Sequence, residues 1–522
     1  MIIKQADALV IGTGIAGSVC ALELARQGQD VILLSKAADP RECNTRYAQG
    51  GIVGVGIDDS AAFLAEDILE ASAMSSFPPA ARVVAEEGPG MVDRILVERL
   101  GINFDRDASG DLSRTREAAH SRRRIYHVRD ATGLSIQDRL IEAVRNEPRI
   151  ELLSRHTAVD LITRSHHSKN PDALYGENHC LGAYVFSEEQ GQVRTMLARS
   201  TVLATGGVGQ IYLHTTNPSV ATGDGVAMAA RAGCPIINAE YVQFHPTALY
   251  HRDADRFLIT EAARGEGGRL VREDGTPFMI DYDPAGDLAP RDVVARAIHE
   301  ELSRSGKSCV FLDLARFVPP DLDIAERFPN IYSACKRFGI DITSEPIPVV
   351  PAAHYFCGGV KSDLSGRTSV PGLYAVGEVA CTGLHGANRL ASTSLLEGLV
   401  FGVRAAKVIA SEPSDADQYF EEIPLWNDGG LVEEQDPVLL NQDWVTVKYT
   451  AWNYAGIVRS TKRLTRARSD LNYLASRVEK FYRETRLSRR LIELRNGILT
   501  ARIITQSAHR NAVSRGCHYR KD

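Results

Sequence analysis

The first apolar runs of the chain predict a strand, a helix and a second strand in quick succession. Residues 6–11 form a short apolar run that is typical of a buried strand. A glycine-rich turn at 12–17 follows, and apolar positions at helical spacing then continue as far as Gly28. A second apolar run at 31–34 completes the unit, which indicates the start of a doubly wound α/β sheet.

Two later runs predict strands that return to the same sheet. Residues 201–204 and 372–376 are mostly apolar, and a glycine-containing turn follows each of them. We expect the region of 241–353, which lies between these runs, to form an inserted domain. The first domain is then discontinuous in sequence, with residues 1–240 and 354–415 as its two parts.

The C-terminal part of the chain predicts a linker followed by helices. Residues 411–440 contain nine acidic residues and no basic ones, with prolines among them, which is typical of a linker. From about 441 onward, leucines recur at helical spacing with arginines between them, so 416–522 is expected to be a linker and a small helical bundle. The 17 basic residues against five acids in 456–522 are compatible with RNA binding or with a solvated helix face, and the second interpretation is favoured.

The composition is that of a globular enzyme or binding protein. A chain of 522 residues is too long for one hydrophobic core, so we expect several domains. A charged fraction of 24% and a net charge of -6 give no overall field that would attract nucleic acid. No apolar run reaches the roughly 18 residues of a membrane span, and the first is too short for a signal peptide, so a cytoplasmic protein is expected. The nine cysteines include no pair spaced for zinc or iron–sulfur binding, and no metal site is expected.

The glycine-rich turn after the first strand is suited to a dinucleotide. Gly12 allows the tight turn, Gly14 lets the backbone approach a pyrophosphate, and Gly17 lets the helix pack closely on the strand. The N-terminus of the helix then faces the phosphates. An ordinary strand-to-helix turn is the alternative, and it is less favoured because the motif stands between a strand and a helix.

The residues after the second strand depart from the pattern of NAD-binding proteins. An acidic residue that holds a ribose is expected there, but this chain has Ser35 and Lys36. Glu378, which follows the late strand, is available to hold a ribose from elsewhere. The loop of 44–51 supplies hydroxyl groups, amides and approachable backbone, which suits the pyrimidine edge of a flavin, although a plain glycine loop is equally compatible with it.

Seven motifs taken in order resemble the flavoprotein family of succinate dehydrogenase, fumarate reductase and L-aspartate oxidase. They are Thr45-x-x-Ala48-Gln49-Gly50-Gly51, Thr222-Gly223-Asp224-Gly225, Gln243-Phe244-His245-Pro246-Thr247, Thr260-Glu261-Ala262-x-Arg264-Gly265, Pro290-Arg291-Asp292, His354-Tyr355-x-x-Gly358-Gly359 and Gly377-Glu378. The resemblance extends from about residue 6 to 405. It implies a discontinuous, Rossmann-like FAD-binding domain of the α/β class, with the inserted region as an α+β capping domain.

The resemblance also implies FAD as a noncovalent cofactor. Membrane-bound members of the family attach the flavin through a histidine just before the threonine of the first motif, and in this chain that place is Asn44. The implied cofactor contacts are Gly12, Thr13, Gly14, Ile15, Ala16, Gly17, Lys36, Asn44, Thr45, Arg46, Tyr47, Ala48, Gln49, Gly50, Gly51, Asp224, Glu378, Ser394 and Leu395.

A dicarboxylate site is implied in the inserted region and around Arg389. In the resembling family, the positions of His245, Thr260, His354 and Arg389 bind the two substrate carboxylates. An arginine can grip a carboxylate with two parallel hydrogen bonds, and a protonated histidine or a hydroxyl group supplies further donors. Each of these residues taken alone is more often structural.

Arg291 resembles the arginine that transfers a proton in this family. Glu261 and Arg264 resemble its relay to solvent. Since arginine is almost always protonated, this role depends on the resemblance and on a desolvated site rich in cations. A simple ion pair with Asp292 or with a substrate carboxylate is the alternative.

Glu117 distinguishes the branches of the family. The stretch from Thr115 to Ser121 resembles the pattern of the oxidase branch, in which a glutamate at this place contacts the substrate amino group, whereas succinate and fumarate enzymes have a neutral amide. A surface acid near the basic run of 122–124 is the alternative.

The expected reaction is therefore the oxidation of L-aspartate to iminoaspartate, with hydride passing to FAD and with oxygen or fumarate as the acceptor. In the family this reaction begins NAD biosynthesis through quinolinate, which suggests quinolinate synthase as a partner. A soluble fumarate reductase or a succinate dehydrogenase flavoprotein subunit is the alternative. A flavin-binding regulatory or RNA-associated protein is a distant third.

Overall fold

A computed structural model describes residues 3–117, 119–253, 257–429 and 434–522 of the chain. Ala118 of the Glu117 motif, residues 254–256 of the expected inserted domain and residues 430–433 of the expected linker lie outside the described ranges.

The strands are β1 (Ile3–Ile11), β2 (Val31–Leu34), β3 (Ile52–Val53), β4 (Ile125–Tyr126), β5 (Ile150–Leu153), β6 (His156–Thr163), β7 (Cys180–Ser187), β8 (Gln192–Leu203), β9 (Ile236–Ile237), β10 (Val242–Leu249), β11 (Arg269–Val271), β12 (Val310–Asp313), β13 (Ile347–Phe356), β14 (Gly359–Lys361), β15 (Leu373–Ala375) and β16 (Ala380–Cys381). The helices are α1 (Ile15–Arg26), α2 (Ala61–Ala71), α3 (Pro78–Met91), α4 (Thr132–Asn146), α5 (Arg164–His167), α6 (Asp224–Arg231), α7 (Ala262–Gly265), α8 (Arg291–Ser305), α9 (Ile324–Arg327), α10 (Pro329–Lys336), α11 (Thr393–Ser411), α12 (Pro437–Ala455), α13 (Thr461–Glu484) and α14 (Arg489–Arg510). A π-helical segment, Val92–Arg99, continues α3.

The main sheet has a parallel core of β5, β2, β1, β8 and β15 in that order. Ala8 of β1 lies opposite Val31 on one side and opposite Ser200 of β8 on the other. Strands of a parallel sheet are buried on both faces, so they have no solvent-exposed face with polar residues. This explains why the sequences of these strands are continuous apolar runs. The predicted α/β class is confirmed by this sheet.

Strand β8 is longer than the sequence indicates. The apolar run at 201–204 covers only its end, while the strand begins at Gln192. Its first half pairs antiparallel with β7 of the β6–β7 hairpin, and its last three residues pair with β15 instead. The first half therefore lies in a more exposed part of the sheet, where polar residues such as Arg194 interrupt the apolar pattern.

A second sheet is antiparallel, in the order β10, β13, β12, β11. It packs with α8 around a core of its own that includes Leu270, Ile298 and Leu312. Strand β13 continues to Phe356 and pairs with β10. The expected domain boundary at 353 therefore falls inside a strand. The division into 1–240, 241–353, 354–415 and 416–522 remains a prediction.

The C-terminal region is helical, as predicted. The helices α12 to α14 pack on one another, and their apolar residues join the core of the main sheet. Trp452 of α12, for example, stacks edge-on against Phe244 of β10 with 5.8 Å between ring centroids. The helices are therefore part of the body of the molecule. Within the described ranges, we find no helix of the length and apolar character that crossing a bilayer requires.

Candidate active site

One cavity of about 1040 Å³ lies at the carboxyl ends of the parallel strands. The segments that follow β1, β2, β8 and β15 line one side of it, which is where ligands bind in open α/β sheets. The opposite side is formed by residues of the second sheet and its loops, among them His245, Thr260 and His354. All the site residues named from the sequence line this cavity except Gly17 and Arg264, which lie behind its wall.

The glycine-rich turn leaves no room for side chains. A Cβ atom on Gly12 would lie 2.1 Å from the carbonyl oxygen of Ala204, and Gly12 has a φ of +117°. A Cβ on Gly17 would lie 1.9 Å from the carbonyl oxygen of Gly12. These contacts bring the N-terminus of α1 to the cavity wall, where its backbone N–H groups suit a pyrophosphate. The residues present therefore fit a dinucleotide.

The loop of 44–51 contains buried acceptors that suit a flavin. Within the described residues, Asn44 Oδ1 and Gln49 Oε1 are buried and have no hydrogen-bond partner. Buried acceptors are normally paired, so these atoms are suited to ligand N–H or O–H groups. Asn44 Nδ2 donates to Glu378 Oε2 over 2.6 Å, and burial raises the pKa of Glu378 to about 7.

Lys36 is engaged by acidic side chains. Its Nζ lies 2.6 Å from Asp224 Oδ2 and 2.8 Å from Glu493 Oε1. Although burial alone would lower the pKa of Lys36, the two carboxylates raise it, so the ammonium group stays charged. The contact between Lys36 and the cofactor remains a prediction, and the structure adds that the ammonium group is held between two acids.

His245 on β10 and His354 on β13 face each other, with 5.2 Å between ring centroids. Burial, together with nearby arginines, lowers the pKa of both rings well below its usual value. Both rings are therefore neutral near pH 7 in this arrangement and offer neutral N–H donors, while the binding of a substrate carboxylate by either histidine remains a prediction. Because His245 Nδ1 accepts from the backbone N–H of Thr247 over 3.2 Å, its Nε2 carries the proton and can donate to a carboxylate.

Arg389 is nearly buried and is held on several sides. Its Nη2 donates to Gln243 Oε1 over 3.1 Å, and its guanidinium carbon lies 4.4 Å from the centroid of the Tyr355 ring. Within the described residues, its Nε atom is buried without a hydrogen-bond partner. Because buried donors are normally paired, this N–H group is suited to an anionic ligand. The Tyr355 hydroxyl donates to Glu397 Oε2 over 2.6 Å, and His385 Nε2 lies 3.0 Å from the same oxygen. A buried carboxylate thus supports the ring beneath Arg389.

Arg291, Glu261 and Arg264 form a buried row. Arg291 Nε donates to Glu261 Oε2 over 2.7 Å, and Arg264 Nη2 lies 3.4 Å from Glu261 Oε1. Burial opposes ionisation of Glu261, but the two arginines hold the pKa of its carboxyl below the usual value. Glu261 and Glu117 raise the pKa of Arg291 against the effect of burial, whereas burial lowers the pKa of Arg264. The alternative partner Asp292 is instead paired with Arg296 at 2.8 Å.

Glu117 enters the cavity between the loop of 44–51 and the start of α11. Its Oε2 accepts from the Ser392 hydroxyl over 2.5 Å, and a Cβ on Gly50 would lie 2.1 Å from its Oε1. Ser392 has the left-handed φ of +55° that side chains rarely adopt, at the start of α11. The structure thus places the Glu117 carboxylate against the 44–51 loop and not on the surface beside residues 122–124.

Four residues that form or support the site were not predicted from the sequence: Gln243, Tyr355, Ser392 and Glu397. Gln243 and Tyr355 stand inside motifs that were recognised, so their position was a usable signal. Glu397 is the one acid in the otherwise apolar run of 395–401, which is a second signal. Ser392 gives no sequence signal, because its contact with Glu117 depends on an unusual backbone conformation.

The comparisons with known proteins agree with this geometry. Residues 7–395 match the family described as FAD binding domain, and residues 446–522 match the family described as fumarate reductase flavoprotein C-term. The chain is an FAD-dependent flavoprotein enzyme. It is 46% identical to L-aspartate oxidase 1 of Ralstonia nicotianae, over 99% of this chain and 95% of that protein. It is 44% identical to L-aspartate oxidase of Yersinia pestis, over 99% and 96%.

Among solved structures, a mutant of E. coli quinol fumarate reductase superposes with a TM-score of 0.86 at 28% identity, covering 100% of this chain and 92% of that one. The chain belongs to the L-aspartate oxidase family.

Proposed function

We propose that this chain oxidises L-aspartate to iminoaspartate at the cavity between the two sheets. The observation that carries the proposal is the position of Glu117, which brings a carboxylate to a site whose other wall is rich in donors and arginines. A substrate with two carboxylates and one ammonium group matches that distribution of charge. FAD, when bound, supplies the two-electron oxidation, and the protein supplies orientation and charge.

The substrate carboxylates are proposed to bind to His245, Thr260, His354 and Arg389. The Nε2–H of neutral His245 and the unpaired Nε of Arg389 are donors available for this purpose. Neutral histidines avoid adding charge to a site that already holds Arg291 and Arg389.

Arg291 is proposed to exchange a proton with the substrate. Because its pKa is raised, it carries its proton at rest, which suits proton donation in the direction of fumarate reduction. In the direction of oxidation, Arg291 would pass its Nε proton along the 2.7 Å hydrogen bond to Glu261 as it takes a proton from the substrate, so that it ends the step protonated, with Arg264 beyond Glu261. Arg264 extends this path, since its Nη2 lies 3.4 Å from the other oxygen of Glu261.

Anaerobic mixing of the purified FAD-loaded protein with L-aspartate tests the proposed function. We expect L-aspartate to bleach the flavin absorbance much faster than succinate at equal concentration. Faster bleaching by succinate would favour the alternative, a succinate or fumarate enzyme, which the shared fold with fumarate reductase makes worth testing. Reoxidation by oxygen and by fumarate then identifies the acceptor.

Three further expectations belong to this proposal. FAD is held without a covalent bond, since Asn44 offers no ring nitrogen, and acid should release the FAD intact into the supernatant.

The iminoaspartate passes to quinolinate synthase for NAD biosynthesis. A faster coupled rate in the presence of that enzyme would support this. The reaction takes place in the cytoplasm, which cell fractionation would check.

A further inference from the structure

Helix α14 touches two of the loops that line the cofactor side of the cavity. Glu493 Oε1 lies 2.8 Å from Lys36 Nζ, and Arg489 Nη1 donates to the backbone oxygen of Lys36 over 3.0 Å. Asn496 Nδ2 donates to Asp224 Oδ1 over 3.0 Å. Three residues of the helix are thus paired with two residues, Lys36 and Asp224, that line the cavity.

A fourth side chain of α14, that of Thr500, extends this contact along the helix. The Thr500 hydroxyl donates to the backbone oxygen of Gly223 over 3.0 Å, and a Cβ on Gly223 would lie 2.7 Å from that hydroxyl. Gly223 has a φ of +83° and immediately precedes α6. The start of α6, which carries Asp224, is therefore fixed from behind by α14.

The charges in this contact balance. Lys36 and Arg489 face Asp224 and Glu493, and Arg489 Nε lies 2.9 Å from Glu493 Oε1. Glu493 and Asp224 are both buried, and Asn496 is almost fully so. Removing one member of such a buried network leaves the others incompletely paired, which is costly.

Helix α14 does not line the cavity itself but contacts two of the loops that do. None of its residues is among the described residues that line the cavity, whereas Lys36 and Asp224 are. The ion pair to Lys36 and the hydrogen bonds to the start of α6 therefore connect the helix directly to the cofactor side of the cavity.

We propose that α14 is a clamp for the cofactor, in which Glu493, Asn496 and Thr500 are positioning residues that hold the Lys36 and Asp224 loops in the conformation that binds FAD. The clamp couples the docking of a C-terminal helix to the affinity for FAD. This inference depends on FAD binding and not on the identity of the substrate, so it can fail or hold independently of the proposed function.

The test compares the removal of charge at two glutamates that form ion pairs at α14: Glu493 on the helix itself and Glu479 on α13. Glu493→Gln keeps the shape and a hydrogen-bond acceptor but removes the charge that faces Lys36. Glu479→Gln is the matched control, because Glu479 pairs with Arg495 of α14 at 2.8 Å but on a face away from these loops. FAD is removed from each full-length protein, and its dissociation constant is measured by fluorescence titration. We expect a rise of about tenfold for Glu493→Gln and less than about twofold for Glu479→Gln.

If the docking of α14 strengthens FAD binding, FAD binding must strengthen the docking of α14 by the same factor, which gives a second measurement. FAD should slow hydrogen exchange of the α14 amides in the natural protein, although the helix does not line the cavity. The slowing should be largely lost in Glu493→Gln and kept in Glu479→Gln. A helix with a merely structural role would lose stability in both variants without this difference.

Equal FAD dissociation constants for the two glutamine variants, or α14 amides that exchange at the same rate with and without FAD, would overturn the proposal. Circular dichroism of the FAD-free proteins shows whether each variant folds. If Glu493→Gln does not fold, Thr500→Val replaces it, since valine keeps the shape and removes only the hydroxyl on Gly223. For Thr500→Val we expect FAD binding to weaken about threefold, and an unchanged value would overturn the proposal equally.

Discussion

The two sides of the cavity are built in different ways. On the cofactor side, the wall is made of backbone, and Gly12 and Gly17 are needed because any side chain would overlap a carbonyl group. On the substrate side, the wall is made of side chains that carry charge or donate hydrogen bonds, such as His245, Arg291 and Arg389. The cofactor side should therefore be intolerant of added volume, and the substrate side intolerant of altered charge or donor geometry.

The largest effect is expected for Gly12→Ala. The new methyl group would meet the Ala204 oxygen at 2.1 Å in a conformation that alanine avoids, so FAD affinity should fall by a hundredfold or more and activity should be lost. FAD content of the purified protein measures this. Gly28→Ala is the control, because Gly28 also has a positive φ but has nothing within 4 Å. It should keep FAD and lose only about 1 kcal/mol of stability. Equal FAD loss in both variants would mean that strain, and not the close approach, decides cofactor binding.

The next largest effect is expected for Arg291→Lys. Lysine keeps the charge but not the planar fork that bonds to Glu261, so kcat should fall by about a thousandfold while FAD is retained. Steady-state kinetics with both dicarboxylates measure the effect. Arg296→Lys, one turn further along α8, is the control and should keep most turnover. If KM rose while kcat stayed nearly intact, Arg291 would be a carboxylate anchor without a role in proton transfer.

Glu117→Gln tests the one acid that is proposed to meet the substrate ammonium group. At about 4 Å and an effective dielectric near 20, such a pair contributes roughly 4 kcal/mol before desolvation is subtracted. A net loss of about 2 to 3 kcal/mol corresponds to on the order of a hundredfold in kcat/KM for L-aspartate. Fumarate reduction should fall far less, since fumarate has no ammonium group. Similar losses in the two activities would show that Glu117 supports the site as a whole.

The smallest effect is expected for Tyr355→Phe. The ring beneath Arg389 remains, but its hydroxyl no longer bonds to Glu397, so the guanidinium is held less firmly. We expect KM for L-aspartate to rise about fivefold with kcat within about twofold. Tyr184→Phe, whose hydroxyl donates to a backbone oxygen far from the site, should leave both constants unchanged. A fall in kcat without a change in KM would place Tyr355 in the chemistry and not in substrate binding.

The two sides of the cavity also differ in how far the sequence predicted them. The turn at 12–17 and the strand at 31–34 are local, because neighbouring residues specify them, and the structure has them where the pattern indicated. The substrate side joins β10 to β13, which are about a hundred residues apart, and only the resemblance to a family brought His245 and His354 together.

Long-range contacts without a pattern were not predicted. The pair of Lys36 and Glu493 joins two ends of the chain, and no local periodicity indicates it. Likewise, the left-handed φ of Ser392 depends on tertiary contacts, since serine has no preference for that conformation. The neutral state of His245 also follows from burial and from arginines on other segments, which a single motif does not reveal.

The pairing of β15 with the end of β8 has a consequence for the order of events during synthesis. Residues 201–203 must remain without that neighbour until residues 373–375 have been made, with the whole second sheet synthesised in between. Loops that separate paired strands so widely slow folding, and unpaired strand edges are prone to wrong association. The nascent chain therefore carries this open sheet edge while about a third of its residues, from 203 to 373, are being added, and a complete FAD site can exist only after β15 has docked. Cofactor loading is thus a late step in the maturation of this flavoprotein.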